Sequence, residues 1–343
     1  MLLSRIFCGL IGACVWATLA DSPSLAQTGG KITIAFTRTV STGPFFVAKE
    51  LGFFAAEGIE PHFTLFESAT AVTIAVTSGD AEIGATAFTA GFFNVAGKGA
   101  LKVIAATARG EPGFRFAAYV VSAKAHAGGF RSLRDFPGRT IGTTTVGSPH
   151  YYSLALLGVK YGFDPATVKT VPLQSFPNLV SALRGGQVDA VILPGNLVTA
   201  IEERGEGRVL GWVDDETPWQ FSGIFAATRV ITERRPAVER FVRAYRRGSR
   251  AFHDAVLVRD AAGKPASHPD RGRFLDIVAT SIGQSRKQIE DTIIFLDPEG
   301  RLLVDDVYNQ VAFWQSQGFV DKSVDPKDVV DLSFIDGHYR AAK

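Results

Sequence analysis

The chain has 343 residues, 46% hydrophobic and 20% charged, with 36 Lys and Arg against 34 Asp and Glu for a formal charge of +2. That is apolar material for one large or two modest cores, without the composition of a disordered chain. The balanced charge excludes a dedicated nucleic-acid binder, which needs a concentrated basic field. Beyond the first turns of sequence, no apolar run approaches the ~20 residues of a membrane-spanning helix.

Residues 1–26 read as a secretory signal. Arg5 supplies the positive start, residues 6–20 are apolar, and Ser24-Leu25-Ala26 places small side chains where a signal peptidase inspects them. Cleavage is expected after Ala26, or after Ala20 as the second choice; a retained membrane anchor is the alternative. Cys8 and Cys14 both lie in this segment, so the exported chain has no thiol, no disulfide and no cysteine metal site. The expected location is the periplasm.

Residues 32–89 and 140–197 carry one pattern twice. Pro44 answers to Pro149, Gly52-Phe53 to Gly162-Phe163, Gly79 to Gly186, and Glu82 to Asp189. Each copy reads strand, loop, helix, strand, helix, strand. Short β-branched or aromatic runs predict strands at 32–36, 62–66 and 82–86, then at 140–144, 168–173 and 188–193. Ser41 or Thr42 before Gly43-Pro44, and Ser148 before Pro149, mark helix starts; Gly52 and Gly162 mark helix ends. Strands alternating with helices predict two α/β lobes, each a mostly parallel sheet flanked by helices.

Runs at 116–122 and 221–228 are expected to pair antiparallel as a double hinge of two crossing strands. The expected division is therefore residues 27–117 for the first lobe and 118–228 for the second. Residues 229–343 form a helical part that packs back mainly on the first lobe. In that part helices are predicted at 236–254, 305–318 and 326–332, the last capped by Asp325, with a surface loop at 260–273.

Ligands in open α/β sheets sit outside the carboxyl ends of the strands. Applied to both lobes, the rule aims two sets of loops at one cleft. The first lobe contributes Thr39, Ser41, Thr42 and Phe45, then Ser68 and Thr70, then Thr86, Phe88 and Thr89. The second contributes Thr144, Gly147, Ser148, His150 and Tyr151, then Pro194 and Asn196. Hydroxyls and free backbone N–H groups at helix starts suit a carboxylate or sulfonate. They equally suit plain helix capping, which is the competing reading for Thr42 and Ser148. Aromatic rings, Phe45, Phe46, Phe88, Tyr151 and Phe176, either wall a small organic ligand or fill the core. Arg109 and Arg115, just before the hinge strand, are either surface residues or, one of them, the candidate cation for an acidic ligand. Trp219 either closes over the cleft or packs at the hinge.

Catalytic signatures do not occur: no G-x-S-x-G elbow, no H-E-x-x-H helix, no Walker A loop and no G-x-G-x-x-G. The six histidines lack metal-ligand spacing, so no metal and no cofactor is called for. An enzyme in the same cleft would have to draw its acid or base from Glu67, His150 or Glu111.

The segments FFVAKELGFFAAEGIE, AVTSGDAEIGATAF, DFPGRTIGTTTVGSPHYYSLALLGVKYGFD and LRGGQVDAVILP give the chain a family likeness over residues 31–228. It resembles the substrate-binding proteins of ABC importers in the nitrate/sulfonate/taurine group, which includes proteins for thiamine-pyrimidine precursors. The resemblance implies a type II periplasmic-binding-protein fold closing on its ligand by hinge motion. It also implies a monomer, read by a membrane permease powered by a separate ATPase, with ligand contacts from the loops at 39–46, 67–70, 85–89, 143–151 and 194–196. Fungal pyrimidine synthases similar to this family carry a cysteine-rich motif that the exported chain lacks. The aromatic loops favour an organic ligand (a sulfonate, an aromatic carboxylate or a pyrimidine-like heterocycle) over bare nitrate. A ligand-sensing module for a receptor is the remaining alternative.

Overall fold

A computed structural model describes residues 30–335; the export signal read at residues 1–26 lies outside the described residues. The strands run in chain order as β1 (Lys31–Thr37), β2 (Glu60–Phe66), β3 (Ile83–Ala87), β4 (Leu101–Ala106), β5 (Ala108–Gly110) and β6 (Ala117–Ser122). Then come β7 (Thr140–Thr143), β8 (Lys169–Pro172), β9 (Ala190–Pro194), β10 (Gly207–Trp212), β11 (Trp219–Gln220), β12 (Ser222–Ala227) and β13 (Phe295–Leu296). The first sheet has the order β2-β1-β3-β12-β4, and the second, read from its other edge, β8-β7-β9-β6-β10. In each, the first three strands counted from the β2 or β8 edge are parallel, and one antiparallel strand is inserted before the last. The two lobes thus share one topology.

The repeat is also chemical. The amide of Thr33 donates to the Glu82 carboxylate at 2.7 Å, and the amide of Thr140 donates to the Asp189 carboxylate at 2.8 Å. Each acid returns its own amide to the same threonine's carbonyl, at 3.1 and 2.8 Å. A carboxylate at the head of the third strand therefore pins the start of the first in both lobes. Gly52 and Gly162 hold left-handed φ values of 70° and 76°, a conformation that carries little penalty only without a β-carbon. The repeat runs further than its sequence pattern: the helices Ala90–Gly97 and Gly195–Glu203, then β4 and β10, extend both copies by one helix and one strand.

Two expectations about the hinge need correction. The runs at 116–122 and 221–228 do not pair with each other. The first, β6, sits in the second lobe's sheet between β9 and β10, and the second, β12, sits in the first lobe's sheet between β3 and β4. Residues 222–227, assigned to the second lobe from sequence, thus belong to the first. Both strands are buried along their full length, so each needs a sheet neighbour on both sides. The antiparallel pairing occurs at the waist, where β5 meets β11 with Gly110 opposite Trp219, and β13 adds a third strand.

The C-terminal part touches both lobes, packing aromatic rings on Phe45 of the first and setting Phe313 and Asp306 against Tyr151 and Tyr152 of the second. Its long helix, Thr228–Phe252, kinks at Arg234 just before Pro236, so the predicted start at 236 marks the straight segment beyond the kink. Phe241 and Tyr245 on this helix meet Phe45 at 6.1 and 4.9 Å between ring centroids. The helix Val304–Ser316 matches expectation. Residues 326–332 do not form the predicted helix: Asp325 does cap, but only one 3-10 turn follows, Pro326–Val329. The polar stretch from 260 stops at Asp270, where the helix Arg271–Ile282 begins; that helix was not read from the sequence.

Candidate ligand-binding cleft

Between the lobes lies a cleft of about 590 Å³. Its floor is the carboxyl ends of parallel strands: Thr37 on β1, Thr86 on β3, Thr144 after β7 and Pro194 on β9. Five α-helices begin around it, at Ala69, Ala90, Pro149, Phe176 and Gly195. Three of these starts are closed by their own side chains. Ser68 accepts from Ala71 N at 3.2 Å, Thr89 from Phe92 N at 3.0 Å and Ser175 from Asn178 N at 3.3 Å. The helices Pro149–Tyr161 and Gly195–Glu203 have no side-chain cap. Their amide ends carry the positive pole of the helix into the cleft region.

Four buried polar atoms here have no partner in the protein: Thr86 Oγ1, Ser148 Oγ, His150 Nε2 and Asn196 Oδ1. Thr86 comes from the first lobe and the other three from the second. Leaving one such atom unpaired costs about 1–3 kcal/mol, so buried groups of this kind are normally paired. Phe66, Phe116, Phe176 and Phe221 supply the apolar wall, with Phe116 and Phe221 tilted together at 4.9 Å. Arg38 and Glu67 are the charged residues among those lining the cleft, and they pair with each other at 2.9 Å at its exposed rim.

His150 lies against Trp219 and Phe221 at centroid distances of 6.4 and 6.1 Å. Burial pushes its pKa down to about 4, because the charged imidazolium would lose its hydration there. The ring is therefore neutral near pH 7 and offers one donor and one acceptor rather than a charge.

Of the residues singled out from sequence, Thr39, Ser41, Ser68, Thr70, Thr86 and Thr89 line the cleft from the first lobe. Thr144, His150, Pro194 and Asn196 line it from the second. Ser148 is buried at the same helix start. The others lie elsewhere. Thr42 donates its hydroxyl to the Thr39 carbonyl at 2.7 Å and closes a 3-10 turn. Phe45 stacks on Phe36 at 5.4 Å inside the first lobe, and Phe88 is buried against Phe92 and Phe93.

Tyr151 points away, toward Phe313 and Trp314, since successive helical residues diverge by about 100° and His150 already faces the cleft. Gly147 meets the first lobe at Ala90 rather than lining the cavity. Arg109 is buried at the waist between Glu111 and Asp297, at 3.0 and 3.3 Å, and lies over the Phe295 ring. Trp219, 1% exposed, backs the His150 ring from behind instead of closing over the cleft.

Sequence reading missed Phe66, Phe116, Phe221, Gln284 and Thr292, while the loop from Gln174 that it aimed at the cleft does line it. Phe116 and Phe221 head the two crossing runs, and that position at the waist was a usable signal. Gln284 and Thr292 come from the C-terminal part, where no motif marks them.

The profile of NMT1/THI5-like proteins matches residues 39–255, which takes in both lobes and the start of the C-terminal part. The chain belongs to the NMT1/THI5-like family. Solved structures share this family member's fold. The alkanesulfonate-binding protein SsuA of Xanthomonas axonopodis pv. citri, bound to MOPS, gives a TM-score of 0.65 at 17% identity, covering 88% of this chain and 98% of its own. The aliphatic sulphonate-binding SsuA of Escherichia coli gives 0.66 at 15% identity, covering 91% and 96%. The nitrate-binding protein NrtA of Synechocystis PCC 6803 gives 0.63 at 11%, covering 88% and 85%. No curated protein sequence matched this NMT1/THI5-like chain.

Proposed function

We propose that the protein is the solute-binding component of an ABC importer. It captures a small organic anion or heterocycle in the interlobe cleft and presents the closed form to a membrane permease with its separate ATPase. The carrying observation is the set of unpaired buried polar atoms Thr86 Oγ1, His150 Nε2 and Asn196 Oδ1, drawn from both lobes onto one cavity, with Ser148 Oγ unpaired at the start of the helix that carries His150. A ligand that pairs them rewards closure, because only the closed cleft presents both lobes at once.

With Arg38 and Glu67 already paired at the rim, a negative ligand group would be held by hydroxyls, amides and uncapped helix starts rather than by an ion pair. The phenylalanine wall suits an aromatic or aliphatic body: a sulfonate, an aromatic carboxylate or a pyrimidine-like ring. Binding fits this cleft better than turnover. His150, the titratable group buried there, is held near pKa 4 and is a weak base at neutral pH. In this reading the role is a periplasmic one, reached through the export signal expected at residues 1–26, and the protein acts as a monomer.

A thermal-shift screen of the exported protein against sulfonates, aromatic carboxylates, nitrate and pyrimidines tests the reading. One ligand class is expected to stabilise it saturably, by about 2.7 kcal/mol at a hundredfold excess over Kd. A protein that answers none of these classes, or that turns a bound compound over, contradicts it.

A further inference from the structure

Behind the cleft is a second cavity of about 520 Å³. Gly113 and Arg115 reach it from the first crossing segment, and Asp215 from the second. The rest of its lining comes from residues 256–293 of the C-terminal part. The two cavities share a thin wall. Phe116 and Thr292 face the cleft, whereas their neighbours Arg115 and Ile293 face the second cavity. Gly195 presses into this wall against the carbonyls of Arg115 and Asp291, which leaves no room for a side chain.

Three guanidinium groups, those of Arg115, Arg259 and Arg271, meet around this one cavity. Arg271 is spoken for: it donates to the Val256 carbonyl at 2.7 Å and pairs with Glu290 at 3.2 Å. Asp215, the other acid lining the cavity, accepts from Gly113 N at 2.7 Å. One guanidinium is left in excess. Arg115 lies over the Trp212 ring at 5.4 Å and forms no ion pair among the described residues. Arg259 lies over Phe114 at 4.4 Å and donates to the Gly263 carbonyl, and its Nε is buried without a partner. Burial, then the like charges of Arg115 and Arg271, pull Arg259 below the usual arginine range against the opposing charge of Asp215. Val256, Leu257, Pro265 and Ile293 give the cavity an apolar side.

We propose that this cavity is a second ligand site, taking a small organic anion with two or more negatively charged oxygens, held by the guanidiniums of Arg115 and Arg259. Paired oxygens match the planar donor fork of arginine, and the apolar side takes a short carbon body.

Citrate and inorganic phosphate serve as probes, at matched ionic strength so that plain screening is constant. Melting temperature and Trp212 fluorescence are read together, with Trp212→Phe assigning the optical signal. At least one probe is expected to raise the melting temperature saturably and to change the fluorescence. Apparent affinity should fall about tenfold in Arg115→Gln, the loss of one charge-assisted contact. Arg115 forms no ion pair among the described residues and its side chain rests on the Trp212 ring, so the variant's melting temperature without probe should stay close to the parent's, and Arg259→Gln repeats the test at the second guanidinium. His150→Ala and Asn196→Ala, which alter only the cleft, should keep the full response. No response to either probe overturns the proposal. So does a response unchanged in Arg115→Gln and Arg259→Gln, or one abolished by His150→Ala, which would put the anion in the cleft.

Discussion

The amide of Ala90 on the first lobe donates to the carbonyl of Gly147 on the second, at 3.1 Å, and this contact joins the two lobes. Gly147 has φ +73°, and a β-carbon there would sit 2.8 Å from that of Ala90. The glycine is therefore required twice, for its left-handed backbone and for the close approach of the lobes.

Gly147→Val should prop the lobes apart. Strain at its left-handed backbone costs about 1–3 kcal/mol in either form, whereas the clash of the added side chain with Ala90 falls on the closed form alone. Ligand affinity is expected to drop tenfold or more, with a larger radius of gyration in solution scattering at saturating ligand. A variant as compact and as tight-binding as the parent would show that Ala90 and Gly147 do not set closure.

Phe45→Ala separates core from cleft. The ring packs among Phe36, Phe241 and Tyr245, so its loss should cost about 3–5 kcal/mol of folding stability. Below the lowered melting temperature, ligand affinity should be unchanged in calorimetry. A selective loss of binding would return Phe45 to the cleft wall.

His150 is neutral across the working range, since its pKa sits near 4. Ligand affinity should therefore be flat between pH 6 and pH 8, apart from any titration of the ligand itself. A step with an apparent pKa near the ordinary histidine value would mean that the imidazole is solvated and ionises.

Two buried acids set an unusual pH dependence of folding. Asp306 accepts from Tyr152 and from Gln220 N, each at 2.7 Å, and burial pushes its pKa up to about 6; burial likewise lifts Asp214 to about 7. Both values exceed those of the unfolded chain, so the folded state holds more protons between about pH 4 and pH 7. Stability then falls as pH rises through that window. Asp297 and Glu299 run the opposite way: Arg301 holds the first, and Arg246 and Arg250 the second, below the usual carboxylate range against the opposing effect of burial. Their contribution is lost only as pH falls through their lowered values, and the buried neutral His150, with its pKa near 4, likewise loses stability as pH falls below the ordinary histidine value, which partly offsets the two acids. Urea melts should therefore place maximum stability near pH 5 and show less stability at pH 8. Asp306→Asn should flatten the decline by about 1 kcal/mol or more. A stability that rises steadily to pH 8 would contradict this account.

Much of the fold was legible because its signals are local and written twice. Pro44 and Pro149, Gly52 and Gly162, and Glu82 and Asp189 hold equivalent places because each solves the same local problem in both lobes. What failed depends on contacts distant in sequence. Nothing in FAAYVVS or FSGIFAAT says which sheet receives the strand, and both runs are apolar enough to enter either lobe. The site divided along the same line. Hydroxyls at helix starts were readable, since strand ends and caps fix where they point. Phe45, Phe88 and Tyr151 were not, because which side of a helix or turn faces the cleft depends on neighbours such as Tyr245, Phe92 and Trp314 that only tertiary packing supplies.

The central claim is that unpaired polar atoms are kept in the cleft for a ligand. Thr86→Val and Asn196→Leu remove two of them at similar size, and both variants should be compared with the parent for ligand-free stability and ligand affinity. Replacing an unsatisfied buried polar group by an apolar one of its shape is neutral or stabilising, so melting temperatures should hold or rise. Affinity for the ligand found by screening should fall at least tenfold in each, about 1.4 kcal/mol or more. Lowered stability with unchanged affinity would contradict the account, and would make these groups part of the scaffold.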